Sequence, residues 1–171
     1  MRTLVLDPAP ADFEALLEHR HRLGVDLYDE VWEGVLHMVP APHSAHGKLE
    51  RRVARLLDEP AQAVGLEASG PVNIGSAEDY RVPDAALLAP GPDAVYLPSA
   101  ALVVEVVSPG DETWAKLSFY AAHDVQELVI VDPRERTVHW LALRDGDYEP
   151  VRHSAVLDLD VTQLTGDIDW P

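Results

Sequence analysis

Two carboxylates stand where strand patterning leaves little room for them. In LVVEVVSPG, residues 102–110, Glu105 interrupts a run of valines. Side-chain alternation puts it on one face with Val103 and Val107, while Val104 and Val106 take the other. A strand apolar on both faces is expected to be central and covered on both sides. An isolated ionised carboxylate there loses much of its hydration unless a metal ion, a buried cation or protonation compensates. The competing reading sets Glu105 at the solvated C-terminal end of the strand, paired with an arginine. In RVPDAALL, Asp84 shares a face with Val82, Ala86 and Leu88 and follows Pro83, a residue that marks an edge, a bulge or a strand start. Taken singly, Pro-Asp is a turn dipeptide. Taken with Glu105, it means that two successive strands each bring one hard oxygen ligand, a pair suited to one Mg²⁺ (or Mn²⁺). Without a cation, two such groups repel and at least one tends to protonate.

Softer candidates cluster at the start of one helix. His43 and His46 in PHSAH are three residues apart, as a zinc pair can be, yet no second pair has ligand spacing. Glu50 is a further acid for a metal site on the same helix. Lys48, Arg51, Arg52 and Arg55 form the one basic face available to touch phosphates, or else pair with the abundant acids around them.

The elements that must position these residues read as one mixed α/β domain over residues 1–171. DPAPADFEALLEHRHRLG predicts a short helix, with Asp12 as N-cap and Gly24 just past its end. VDLYDEVWEGVLHMVP predicts a hairpin turning at Glu33-Gly34. PHSAHGKLERRVARLLDEP predicts the best helix, with Leu49, Val53, Leu56 and Leu57 on one stripe and Pro60 as its stop. Short strands are expected around 66–75, then within YRVPDAALLAP and AALVVEVVSP. A second helix, DETWAKLSFYAAHD, precedes a buried strand, ELVIVDP, and a closing hairpin turns at Asp145-Gly146.

The bulk numbers narrow the function classes. With 171 residues, 47% hydrophobic and 25% charged, the chain has an ordinary globular composition. There is no cysteine, which excludes disulfide and thiolate chemistry. No apolar run approaches the length of a membrane span, and the first residues lack a secretory pattern, so a cytoplasmic protein with no membrane partner is expected. The net charge of −17 opposes charge-driven, non-specific nucleic-acid binding, but leaves room for a metal-recruiting site with a local basic patch.

VPD at 82–84 followed by VEV at 104–106 resembles the PD-(D/E)xK nuclease signature. Together with YDEVWEGVLHMVPAPHSAHGKLERRVARLLDE and LVVEVVSPGDETWAKLSFYAAHDVQELVIVDPRERTVHWLAL, the chain is similar over about residues 25 to 145 to the Uma-two family of restriction endonucleases. That resemblance implies a restriction-endonuclease-like core: a central mixed sheet flanked by helices, here with an N-terminal helix and hairpin, often as a homodimer. It also implies a Mg²⁺-dependent endonuclease that hydrolyses phosphodiester bonds in nucleic acid, DNA first among substrates. The signature's lysine belongs two residues after the acid, where Val107 stands. Lys116, one of two lysines, matches the family's lysine in WAKLSFY and is assigned to assist the attacking water; the alternative is a salt bridge to Asp111 or Glu112. Asp84, Glu105 and the backbone carbonyl of Val106 are the expected metal ligands. Glu33 matches an acidic residue before glycine and is a possible third acid, while turn chemistry explains it equally well. His46 lies in a segment the family shares. The rival expectation is a nuclease-fold module that no longer cuts and serves as a binding or interaction protein, supported by Val107 and the charge of −17.

Overall fold

A computed structural model describes residues 4–6, 13–110 and 112–170. Strand β1 (Leu4–Leu6) and helix α1 (Phe13–Leu23) lead into a hairpin of β2 (Glu30–Trp32) and β3 (Val35–Met38). Its turn holds Glu33 and Gly34 at φ 50° and 83°, the two left-handed conformations that a two-residue hairpin turn of the I′ type requires. Gly24, at φ 62°, closes α1 as expected; the expected N-cap, Asp12, lies outside the described residues.

Helix α2 (Ser44–Ala63) buries Leu49, Val53, Leu57 and Ala61, a one-face stripe, with Leu56 half-buried beside it. The helix does not stop at Pro60, as the sequence suggests. Proline lacks the N–H that would reach the Leu56 carbonyl, but in the last turn this removes one bond only. Fully buried Ala61, whose carbonyl accepts from the N–H of Val64 (3.2 Å) and of Leu66 (2.9 Å), carries the helix past it.

Strands β4 (Glu67–Ser69), β5 (Asn73–Ser76), β6 (Asp79–Arg81), β7 (Ala85–Leu88), β8 (Tyr96–Leu97) and β9 (Leu102–Val106) follow. The second expected helix begins as a 3₁₀ turn, Thr113–Lys116, and becomes α-helical only in α3 (Leu117–Ala122). Then come β10 (Glu127–Asp132), β11 (Thr137–Arg144), β12 (Asp147–Pro150), β13 (His153–Ser154), β14 (Leu159–Asp160) and α4 (Val161–Gly166).

Among the described residues two six-stranded sheets result, ordered β1-β3-β2-β6-β5-β8 and β12-β11-β10-β9-β7-β4, plus the pair β13-β14. The second sheet is mixed, because β9 and β10 are parallel while β7 and β11 run antiparallel to them. Strand β9 is buried along its whole length. Leu102, Val104 and Val106 face the apolar stripe of α2; Val103 faces Phe119 and Tyr120 of α3 and Ile74 of the first sheet. Helices on both faces of a mixed sheet are what the family resemblance implies.

Candidate active site

The ladder between β7 and β9 pairs Ala85 with Val104 and Ala86 with Val103. One step further along that register, Asp84 stands opposite Glu105. Asp84 sits in the bend that Pro83 imposes before β7, and its Oδ2 accepts the Val106 N–H at 2.7 Å. Its Oδ1 lies 2.8 Å from Nε2 of His46, in the first turns of α2. One helical turn beyond His46, Glu50 brings a second carboxylate to the same place. Ligand atoms of His46, Glu50 and Asp84 all lie within 4.8 Å of one another, and among the described residues these three form the one cluster of this kind. Burial and the neighbouring Asp84 push the Glu50 carboxyl above its ordinary range.

Glu105 is 5% exposed and is compensated by a cation and a phenol. Lys116 Nζ donates to its two oxygens at 3.1 and 3.3 Å, and the Tyr120 hydroxyl donates to Oε1 at 2.6 Å. The same ammonium reaches Oε1 of Glu30 at 2.8 Å. Burial raises the Glu105 carboxyl to about 7, against the opposing pull of Lys116, and Asp84 and Glu30 add to the rise. For Lys116, burial works to remove the proton, but Glu105 and Glu30 outweigh it and hold the ammonium well above its ordinary range. Tyr120 is pushed up by burial and then by Glu105, so it stays a neutral donor. Glu30, Asp84, Glu105 and Lys116 line a cavity of about 60 Å³, with Tyr28 and Pro42 also in its wall.

The model of the Uma2 family, described as "Putative restriction endonuclease", matches residues 11–167. The chain belongs to this family. Its fold is similar to that of a "putative nuclease belonging to DUF820" from Anabaena variabilis ATCC 29413, with TM-score 0.66 and 17% identity over 81% of this chain and 89% of that one. No curated protein matches the chain.

Within this Uma2 protein, the structure brings Asp84, Glu105 and Lys116 into one cavity with His46 and Glu30, and sets Glu50 beside Asp84. It regroups them, however. Asp84 gathers His46 and Glu50, whereas the Glu105 oxygens are taken by Lys116 and Tyr120. Val106 lines the cavity and gives its N–H to Asp84. Lys116 is neither solvated nor paired with Glu112, whose carboxylate meets Nδ1 of His37 at 3.2 Å; Asp111 lies outside the described residues. Glu33 is exposed at its turn, its backbone N–H bonded to Asp79 at 3.0 Å, and does not reach the cavity. The hairpin's contribution is Glu30 instead. His43 is the N-cap of α2, its Nδ1 accepting from the Ala45 N–H, and stands outside the His46 cluster. Of the basic face, Lys48, Arg51 and Arg55 are exposed, and Arg52 pairs with Asp169 at 2.9 Å.

Glu30 and Tyr120 are among the residues of this site that sequence reasoning misses. Each carried a faint signal. Glu30 and Trp32 are two apart on a strand and share a face, and the indole N–H donates to Glu30 Oε2 at 2.7 Å. Tyr120 follows Lys116 by one helical turn, the spacing that lets both side chains reach one carboxylate.

Proposed function

We propose that this protein is a divalent-cation-dependent endonuclease that hydrolyses phosphodiester bonds in DNA. The observation that carries the reading is that one cavity is lined by His46 and Asp84 together with the buried Lys116–Glu105 pair, while Glu50 completes a donor cluster with His46 and Asp84. One imidazole nitrogen and two carboxylates are a donor set that fits a divalent ion, with the imidazole favouring Mn²⁺ over Mg²⁺. Asp84, His46 and Glu50 would hold that ion, with the Val106 carbonyl and Glu105 nearby; bound there, it would supply Lewis acidity to the phosphate and make a neighbouring water more acidic.

The remaining chemistry belongs to the chain's own groups. Lys116 Nζ, fixed between Glu105 and Glu30, presents a positive charge to the phosphate and orients the attacking water. Glu105, raised to about 7, is poised to take a proton from that water at neutral pH. Tyr120 holds the Glu105 carboxylate in place. The exposed Lys48, Arg51 and Arg55 would meet the phosphate backbone. Pairing two copies would place cuts on both strands, so a homodimer in the cytoplasm is the assembly that suits the reaction. No helix among the described residues is long and apolar enough to cross a membrane.

The second reading, a nuclease-fold binding module without activity, is favoured by Val107 in place of the strand lysine and by the charge of −17. Incubation of purified protein with plasmid and single-stranded DNA in Mn²⁺ or Mg²⁺, beside Glu105→Ala and Lys116→Ala, separates the two. Cleavage lost in both variants supports the nuclease; cleavage that survives both sinks the assignment of sites; no cleavage by any form favours the binding module.

A further inference from the structure

We propose that Ser108 is a positioning residue that holds the His46 ring at Nδ1 whichever nitrogen carries its proton, and so lets Nε2 ligate a divalent cation, an inference resting on the cation site proposed above. Beyond the end of β9 the chain turns through Ser108, whose Oγ lies 3.0 Å from Nδ1 of His46. The other ring nitrogen, Nε2, is 2.8 Å from Asp84 Oδ1. The imidazole is thus held at both nitrogens, with the His46 side chain 9% and the Asp84 side chain 12% exposed.

A neutral imidazole carries one N–H and one lone pair, and the partner of one nitrogen decides what the other offers. The 2.8 Å approach of Nε2 to a carboxylate oxygen is that of a hydrogen bond, which puts a proton between them. A cation seated on His46 and Asp84 must take the place of that proton. Nε2 then offers its lone pair, and the ring's single proton resides on Nδ1. At 3.0 Å from Nδ1, a hydroxyl serves both states: it donates when Nδ1 is bare and accepts when Nδ1 is protonated. A carboxylate or carbonyl oxygen there could only accept, and an apolar side chain could do neither. Ser108 therefore lets the same imidazole bond Asp84 without a cation and ligate with one. Groups that orient a ligating histidine in this way are worth roughly 10–100-fold in metal affinity.

The test uses the full chain and Mn²⁺ alone, with free Mn²⁺ followed by electron paramagnetic resonance in wild type, Ser108→Ala, Ser108→Thr and Asp84→Asn. Ser108→Ala is expected to bind Mn²⁺ roughly 10–100-fold more weakly, Ser108→Thr to stay close to wild type, and Asp84→Asn to lose the site. Long-range ¹H–¹⁵N spectra with diamagnetic Zn²⁺, assigned with His46→Gln, should place the His46 proton on Nδ1 in the loaded wild type. Wild-type affinity in Ser108→Ala, with binding lost in Asp84→Asn, would overturn the role of Ser108 and leave the cation site standing. Equal weakening in Ser108→Ala and Ser108→Thr would also overturn it, because the hydroxyl would not then be the operative group. Wild-type Mn²⁺ affinity in Asp84→Asn would overturn the cation site itself.

Discussion

Lys116 shows how a lysine on a neighbouring turn reaches a carboxylate that the strand position of Val107 does not serve. Its ammonium lies between two buried carboxylates, so its loss exposes their mutual repulsion. Lys116→Met should destabilise the protein by about 3–5 kcal/mol, the range for removing one partner of a buried ion pair. Chemical denaturation of the cation-free protein checks this; a variant within about 1 kcal/mol of wild type would place the pair in the exposed class. Glu105 carries a second expectation. Its carboxyl is raised from 4.5 to about 7 in the folded protein, chiefly by burial. Between those values the folded chain binds more protons at this group than the unfolded chain does, so the group's contribution is complete below 4.5 and is lost as pH rises through 7. Melting temperatures measured with chelator from pH 4.5 to 7 should therefore fall more steeply in wild type than in Glu105→Gln. Parallel curves would mean that Glu105 is ionised throughout.

At the level of elements, the hairpins were legible because their turns demand particular residues. Asp145 and Gly146 adopt φ 50° and 91°, as Glu33 and Gly34 do their left-handed pair, and few other residues sit there without strain. Helix α2 was legible from its stripe, but its end was not, since proline speaks for local geometry while buried Ala61 answers to tertiary packing. The candidate site divides along the same line. Asp84 and Glu105 break local apolar patterns and announce themselves. Glu30 and Tyr120 fit their own elements, and only the assembled fold brings them to Lys116 and Glu105. The same holds for Gly75 on β5, whose φ of 123° is confined to glycine and whose added Cβ would lie 2.3 Å from the Asp79 carbonyl oxygen and 2.9 Å from the Phe119 ring. Gly75→Ala should cost more than about 2 kcal/mol, a strain-plus-overpacking loss. Unfolding by urea measures it, and a neutral result would contradict the close packing of β5 against α3.

Across the whole molecule, two sheets share one site through a stack that joins them. Arg81 of β6 lies 4.2 Å from the Trp32 ring of β2 and 4.0 Å from the Phe119 ring of α3, tying the sheet that supplies Glu30 to the helix behind Lys116. The charge of −17 acts over the same scale. It leaves the α2 face as the place for phosphates, with Arg52 engaged by Asp169. DNA binding should therefore show a shallow salt dependence, and Arg51→Ala with Arg55→Ala should reduce the log–log slope by roughly 1 per contact removed. An unchanged slope would move the DNA to another surface. Everything proposed for the cavity depends on a divalent cation at Asp84. Anomalous scattering from a crystal soaked in Mn²⁺ tests this most directly: one peak bonded to Asp84, His46 and Glu50 is the expected result, and Mn²⁺ absent from Asp84 at saturating concentration would contradict it.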